Sequence, residues 1–282
     1  MPTAVVAEAS AIAATYEDDT IRELVHIEYH EFLPLFKKAI VDTLPPHRSY
    51  DNRITMREGF VPLYGPLFSL SRFKLQALWE WLDENLSKGF IRASSSLAGT
   101  SILFMKKPGS RLRLYIDYQS LNEGTVKNCY PLPLIRKTLM CLSKVCYYTI
   151  LDVSRTYNLL CIVKGDEWKT AFRIRYRLYK LLVMSFGLTN GPADFQWFIN
   201  DVLHSFLDVC CIAYLDDILV YSETPKDHCM YVKQVHKVLS KAGLHLTLEE
   251  CYFHKMEVKY LRLIITADGV QMDPAKMKAV VS

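Results

Sequence analysis

The eight cysteines of this 282-residue chain never fall in a CxxC pair. That spacing argues against a zinc ribbon or a disulfide framework, and it favours reduced thiols in an intracellular setting. His228, Cys229 and His236 lack ligand spacing and read as part of a surface-type helix, so zinc is not expected there. No stretch is long enough for a membrane span. The first twenty residues, MPTAVVAEASAIAATYEDDT, lack the basic start and continuous apolar core of a signal peptide. Internal repeats and blocks of like charge are missing, and so is any Ser/His/Asp or Cys/His set for nucleophilic catalysis. Lys plus Arg number 34 and Asp plus Glu 30, a net charge of +4. So mild a basicity is compatible with a nucleic-acid partner without arguing for one.

What is present is a chain half of whose residues are hydrophobic, enough for a sizeable core. Residues 1–42 are weakly patterned, and 43–54 read as an extended, proline-bound strap. SRFKLQALWEWLDENLSKGF (71–90) predicts a helix, with Ser71 as N-cap, Gly89 as stop, and Leu75, Leu78, Trp79, Leu82 and Leu86 on one face. SILFMKKPGSRLRLYIDY (101–118) predicts a hairpin turning at Pro108-Gly109-Ser110, with Leu112, Leu114 and Ile116 on one side of its second strand. A strand at 147–152 leads into a turn or short helix. TAFRIRYRLYKLLVM (170–184) reads as one alternating strand, setting Phe172, Ile174, Tyr176 and Leu178 against Arg173, Arg175 and Arg177, with Lys180 beyond them. Pro192 opens a helix whose inner face carries Phe195, Phe198, Ile199, Val202, Leu203 and Phe206. Thr224 to Asp227 form a capping box for another helix, and a last strand pair covers roughly 251–267. The order of elements lacks a regular β-α-β rhythm and favours antiparallel pairing. The fold class is therefore α+β, with helices on one face of an antiparallel sheet.

AYLDDILVYS (213–222) places Asp216 and Asp217 side by side inside an apolar run. Two carboxylates so close oppose each other's ionisation, and a hard divalent cation such as Mg²⁺ is the natural neutraliser. Alone, the pair is an ordinary turn feature. Asp152, in TILDV, also ends an apolar strand, and three carboxylates on neighbouring strand ends can hold two metals about 4 Å apart for in-line phosphoryl transfer. Lys106, Lys107, Arg111 and Arg113, together with the stripe Arg173, Arg175 and Arg177, offer cations to a triphosphate and a nucleic-acid backbone.

LPPHRSYDNRI, ENLSKGFIRASSS, LRLYIDYQSLN, YPLPLI, LDVSRTY, GDEWKTAF, VMSFGLTNGPADFQ and AYLDDILVYS occur in that order. Over about residues 43–275 the chain resembles the reverse transcriptase domain of gypsy-class (Metaviridae) long-terminal-repeat retrotransposon polyproteins. The resemblance implies the fingers and palm of a right-hand polymerase, an RNA-directed DNA polymerase that extends a primer 3′-hydroxyl. It implies Asp152, Asp216 and Asp217 as the ligands of two Mg²⁺ (or Mn²⁺) ions. Lys107, Arg113, Tyr157 and Phe186 would contact the incoming deoxynucleoside triphosphate, Tyr157 excluding a 2′-hydroxyl. Gln196, Tyr214, Arg173 and Arg175 would touch an RNA or DNA template with its primer, and 258–265 would be the primer grip. No membrane partner is implied.

The chain departs from the family pattern at Gln119, Arg155, Asn158, Arg177, Ser185, Glu250 and Arg262, the last two replacing a lysine and a glycine. Glycine marks positions that need positive φ or close approach, so Arg262 is expected to strain its strand or to block the primer. Residues 276–282 are expected to be a truncated tail, with thumb, connection and ribonuclease H regions absent. The alternative to an active polymerase is a catalytically silent remnant that folds and binds nucleic acid.

Overall fold

A computed structural model describes residues 19–37, 43–62, 64–106, 112–133, 142 and 145–272. Its elements are α1 (Arg72–Ser87), β1 (Ile91–Ala93), β2 (Ile102–Lys106), β3 (Leu112–Ile116), α2 (Gln119–Gly124), β4 (Tyr147–Asp152), β5 (Phe172–Arg173), β6 (Leu178–Leu181), α3 (Gly191–Val202), β7 (Cys211–Tyr214), β8 (Asp217–Ser222), α4 (Pro225–Lys241), β9 (Tyr252–Lys255), β10 (Glu257–Tyr260), β11 (Leu263–Thr266) and β12 (Gly269–Met272). The chain divides into two units, one made of 1–41, 132–154 and 199–282, the other of 42–131 and 155–198.

The first unit is built on a four-stranded antiparallel sheet in the order β7-β8-β4-β9. Its central strands are apolar on both faces because both are covered. On one face Tyr148, Ile150, Ile212, Leu219 and Tyr221 pack with Val258, Tyr260 and Ile265 of the three-stranded sheet β10-β11-β12. On the other lies α4. Thr224 caps it, accepting from the Asp227 N–H at 3.2 Å, and Gly243 stops it at φ +68°.

The helix face of α4 corrects one reading of the sequence. His228 and His236 are fully buried, not on a solvent-facing surface. His228 bridges Thr149 (Nε2 to Oγ1, 2.7 Å) and Ser222 (Nδ1 to Oγ, 3.0 Å). His236 is enclosed by Tyr29, Phe32 and Phe36, and burial holds it neutral by pushing its pKa down to about 3. Those aromatics belong to Ile27–Phe36, a 3₁₀ helix in a stretch expected to be weakly patterned. A period of three matches neither the helical nor the strand pattern, which hides such a segment from sequence reading. The expected last strand pair is in fact four strands, β9 joining the central sheet and β10–β12 forming their own.

In the second unit the α1 helix has its expected Ser71 cap, accepting from the Lys74 N–H at 3.4 Å. Leu78 and Leu82 are buried, whereas Trp79 and Leu86 are 46% and 41% exposed, so the apolar face is narrower than the pattern suggests. The β2–β3 hairpin forms in register Ile102↔Ile116 to Lys106↔Leu112; its expected turn at 108–110 lies outside the described residues. The alternating run 170–184 is not one strand. It folds back between β5 and β6, with the Ile174 N–H donating to Arg177 O at 2.9 Å. Tyr176 is therefore 68% exposed in the turn, and the three arginines do not form one stripe.

The β10–β11 hairpin turns through Leu261 (φ +47°) and Arg262 (φ +66°). Two successive positive φ values are the signature of a type I′ turn, which favours Asn-Gly. Arginine there carries the expected strain, and Arg262→Gly raises unfolding free energy by about 1 kcal/mol, readable as a higher urea midpoint at unchanged slope.

Candidate active site

The three aspartates come together by strand register. Asp152 ends β4 and faces Asp217, the first residue of β8. Directly opposed residues on antiparallel strands have Cβ atoms about 4.5–5.5 Å apart. Asp216 sits beside them in the two-residue turn between β7 and β8, where Tyr214 pairs with Asp217 and Leu215 takes φ +54°. A leucine at positive φ is a strained choice, held by the ladders on either side. The Val153 N–H donates to Asp216 O at 2.9 Å, tying the exit of β4 to this turn. The Tyr260 hydroxyl donates to Asp217 O at 3.2 Å.

Two of the three carboxyls are half-buried, and burial is the largest reason why they resist ionisation. Burial pushes Asp152 up to about 6; hydrogen bonding to the Thr247 side chain works against this, while Glu250, Asp216 and Asp217 push it further up. Asp217 is likewise pushed up to about 6 by burial, then by Asp216 and Glu250. Thr247 also donates its backbone N–H to Asp152 O at 2.9 Å. Nothing in the sequence places Thr247 or Glu250 at the site, because only the sheet brings this loop to the end of β4. The oddity of an acid at 250 was visible; its neighbours were not. Glu250→Lys reverses the sign of one perturbing charge, so the carboxyls of Asp152 and Asp217 both titrate at lower pH. A pH series of carboxyl-selective NMR spectra checks this.

The donor set suits a hard divalent cation: oxygen only, partly desolvated, and short of positive charge. One oxygen from each aspartate does not bring all three within 4.8 Å of one another. Among the described residues, His26–Glu28–His254 and His47–Asp51–Cys161 each place one ligand atom per residue within 4.8 Å of the other two.

The remaining sequence-derived residues fare differently. In the second unit the rings of Tyr157 and Phe186 pack edge-on, with centroids 4.5 Å apart. A Cβ at Gly191 would come within 3.2 Å of the Tyr157 ring, so glycine there lets helix α3 start close against it. Arg113, on the exposed side of β3, lines a cavity of about 360 Å³ with Tyr115, Asn158, Ser185 and Phe186. Lys107 lies outside the described residues. Gln196 is fully buried, which makes it a support within the unit and not a surface that a template could touch. Arg173 is likewise committed elsewhere: its guanidinium donates to Gly65 O at 3.0 Å and lies 5.0 Å over the Tyr64 ring. Arg175 is exposed, 5.2 Å over Tyr176. Tyr214 is half-buried against the sheet core.

A sequence model of the family described as "Reverse transcriptase (RNA-dependent DNA polymerase)" matches residues 105–265. The Transposon Tf2-3 polyprotein of Schizosaccharomyces pombe is 32% identical over 242 residues, 86% of this chain and 18% of that polyprotein. The Tf2-7 polyprotein is 31% identical over the same lengths. The chain thus spans less than a fifth of these relatives. Among solved structures, foamy viral protease-reverse transcriptase with an RNA/DNA hybrid aligns with TM-score 0.79 at 20% identity, over 94% of this chain and 37% of that one. The same protein's dRH form with double-stranded DNA aligns with TM-score 0.78 at 21% identity, over 94% and 48%. The fold is that of these polymerases: helices with antiparallel sheets, as the order of elements indicated.

Proposed function

This chain belongs to the reverse transcriptase (RNA-dependent DNA polymerase) family, and from that premise we propose that it is the fingers-and-palm portion, over residues 43–275, of a gypsy-class retrotransposon polymerase. It extends a primer 3′-hydroxyl with deoxynucleotides. The observation that carries the reading is the register pair Asp152↔Asp217 with Asp216 in the adjoining turn. Three carboxylates on neighbouring strand ends, two of them half-buried, match the needs of a two-ion phosphoryl-transfer centre.

Asp152, Asp216 and Asp217 would hold two divalent ions. When bound, the ions lower the pKa of the attacking 3′-hydroxyl and stabilise charge on the leaving pyrophosphate. The chain's own part is to bind and orient. The β4–β8 ladder fixes Asp152 and Asp217, and the Val153 to Asp216 hydrogen bond fixes the turn. Arg113, with Lys107, takes the triphosphate, charge on charge. Tyr157, buttressed by Phe186 and Gly191, offers a flat ring against the deoxyribose and leaves no room for a 2′-hydroxyl. The partners are a template with its primer and deoxynucleoside triphosphates. The foamy viral relatives, whose structures contain an RNA/DNA hybrid and double-stranded DNA, support this choice of partner.

The test is extension of a labelled DNA primer on an RNA template, with Mg²⁺ and then Mn²⁺, by this chain and by the same chain fused to the downstream segment of a Tf2-type polyprotein. Incorporation by either supports the polymerase reading. Binding of the template-primer with no incorporation by both overturns it in favour of a silent remnant.

A further inference from the structure

We propose that His26, Glu28 and His254 form a binding site for one transition-metal ion of the zinc type, distinct from the three aspartates, which clips the N-terminal 3₁₀ segment to strand β9. One ligand atom from each of the three lies within 4.8 Å of the other two. A tetrahedral ion with bonds of 2.0–2.1 Å holds neighbouring ligand atoms about 3.4 Å apart. Closing that gap needs only side-chain rotation. His26 and Glu28 have side chains 48% and 43% exposed, and the His26 Nδ1 already stands 3.8 Å from a Glu28 carboxylate oxygen.

The third ligand is the fixed one. His254 Nε2 lies 2.6 Å from the hydroxyl of Tyr29, a residue with no exposed surface. One edge of the ring meets His228 at 5.0 Å, and the backbone N–H donates to Thr149 Oγ1 at 3.3 Å. With Nε2 engaged by the hydroxyl, Nδ1 is the nitrogen left for an ion. Orientation of a ligating imidazole by a hydrogen bond on its other nitrogen is the usual outer support of a metal site. His254 also takes φ +50°, a conformation that costs a non-glycine residue energy and persists only where its surroundings enforce it. The stacked rings of His26 and His254, 5.0 Å apart, bring the second imidazole to the same place. Cys229 lies beside Glu28.

The ligand types choose the ion. Two imidazoles and one carboxylate favour a borderline cation such as Zn²⁺ over Mg²⁺, which prefers oxygen. The location separates the site from the polymerase centre. Tyr148 pairs with Lys255, so His254 lies toward the start of β4, whereas Asp152 is at its end. Occupation would fasten Ile27–Phe36, whose aromatics enclose His236 on α4, to the sheet that carries Asp152.

The chain is freed of metal with a chelator and titrated calorimetrically with Zn²⁺ in the presence of excess Mg²⁺, with Co²⁺ absorption as a second readout. In a His47→Ala background, which removes the other candidate ligand set, one equivalent binds and the melting temperature rises. His26→Ala and Glu28→Gln, both at exposed positions that leave the fold intact, each weaken binding by more than about 100-fold, and Tyr29→Phe weakens it by about 10–100-fold. Asp216→Asn keeps the full equivalent. No Zn²⁺ binding under Mg²⁺, binding that survives His26→Ala, or binding lost in Asp216→Asn would each overturn the proposal.

Discussion

Primer extension falls by on the order of 10³-fold or more when Asp216 is replaced by asparagine, while the chain folds as before. Asp216 is exposed, and its side chain is replaced by one of the same shape without charge. What the turn needs from this residue is its carbonyl, which accepts from the Val153 N–H at 2.9 Å, and asparagine supplies the same carbonyl. The ladder from Tyr147↔Ser222 to Asp152↔Asp217 does not involve the side chain either. The substitution therefore separates chemistry from folding. Incorporation rates with circular dichroism on the same samples decide the matter. Residual extension within tenfold of the parent would remove Asp216 from the reaction, and with it the two-ion reading.

In metal-free buffer the three-aspartate site costs the protein stability at neutral pH. The carboxyls of Asp152 and Asp217 are raised from an ordinary 3.8 to about 6. Between those values the unfolded chain has released protons that the folded chain keeps, so stability falls as pH rises through that window. The full shift corresponds to roughly 3 kcal/mol per group. Both groups are only half-buried, and solvent screening reduces this to about 1–2 kcal/mol each. The buried histidines act in the opposite sense. His228 and His236 are pushed down to about 4 and about 3 by burial, so their contribution is lost as pH falls. The informative quantity is thus the difference between the parent and Asp217→Asn, in which the histidine contributions cancel. Urea midpoints at pH 4 and pH 7 show the variant gaining on the parent by about 1–2 kcal/mol at the higher pH. Millimolar Mg²⁺ removes that advantage by binding the folded parent. Equal midpoint differences at the two pH values would show that Asp217 is not held short of ionisation.

Sequence reading recovered the features whose signals are local. The apolar runs either side of Asp216 and Asp217, and the one ending at Asp152, mark strands whatever their partners. The Ser71 and Thr224 caps depend on residues three positions away. Other features failed for identifiable reasons. The alternation of 170–184 runs straight through its reversal, because Arg175 and Tyr176 continue the pattern and no Gly, Pro or Asn marks the turn. His228 and His236 count as polar in any pattern, yet one is satisfied by Thr149 and Ser222 and the other is walled in by aromatics. Gln196 and Arg173 have the residue types of template contacts, but the interior and the loop at Gly65 claim them. The proximity of Glu250 to Asp152 is set by the β4–β9 pairing, which no neighbour in sequence announces.

That pairing also dictates the order in which the protein can be made. Strand β4 lies between β8 and β9, and both are synthesised long after it. During translation the apolar strand bearing Asp152 emerges with neither edge matched, and it acquires its second neighbour only when the chain has passed Lys255. Pairings so distant in sequence form slowly, and an unmatched apolar edge invites association between nascent chains. A nascent chain that has left the ribosome as far as Ser222 but not yet Tyr252 would hold a sheet with one edge of β4 open, the point at which a chaperone has most to protect.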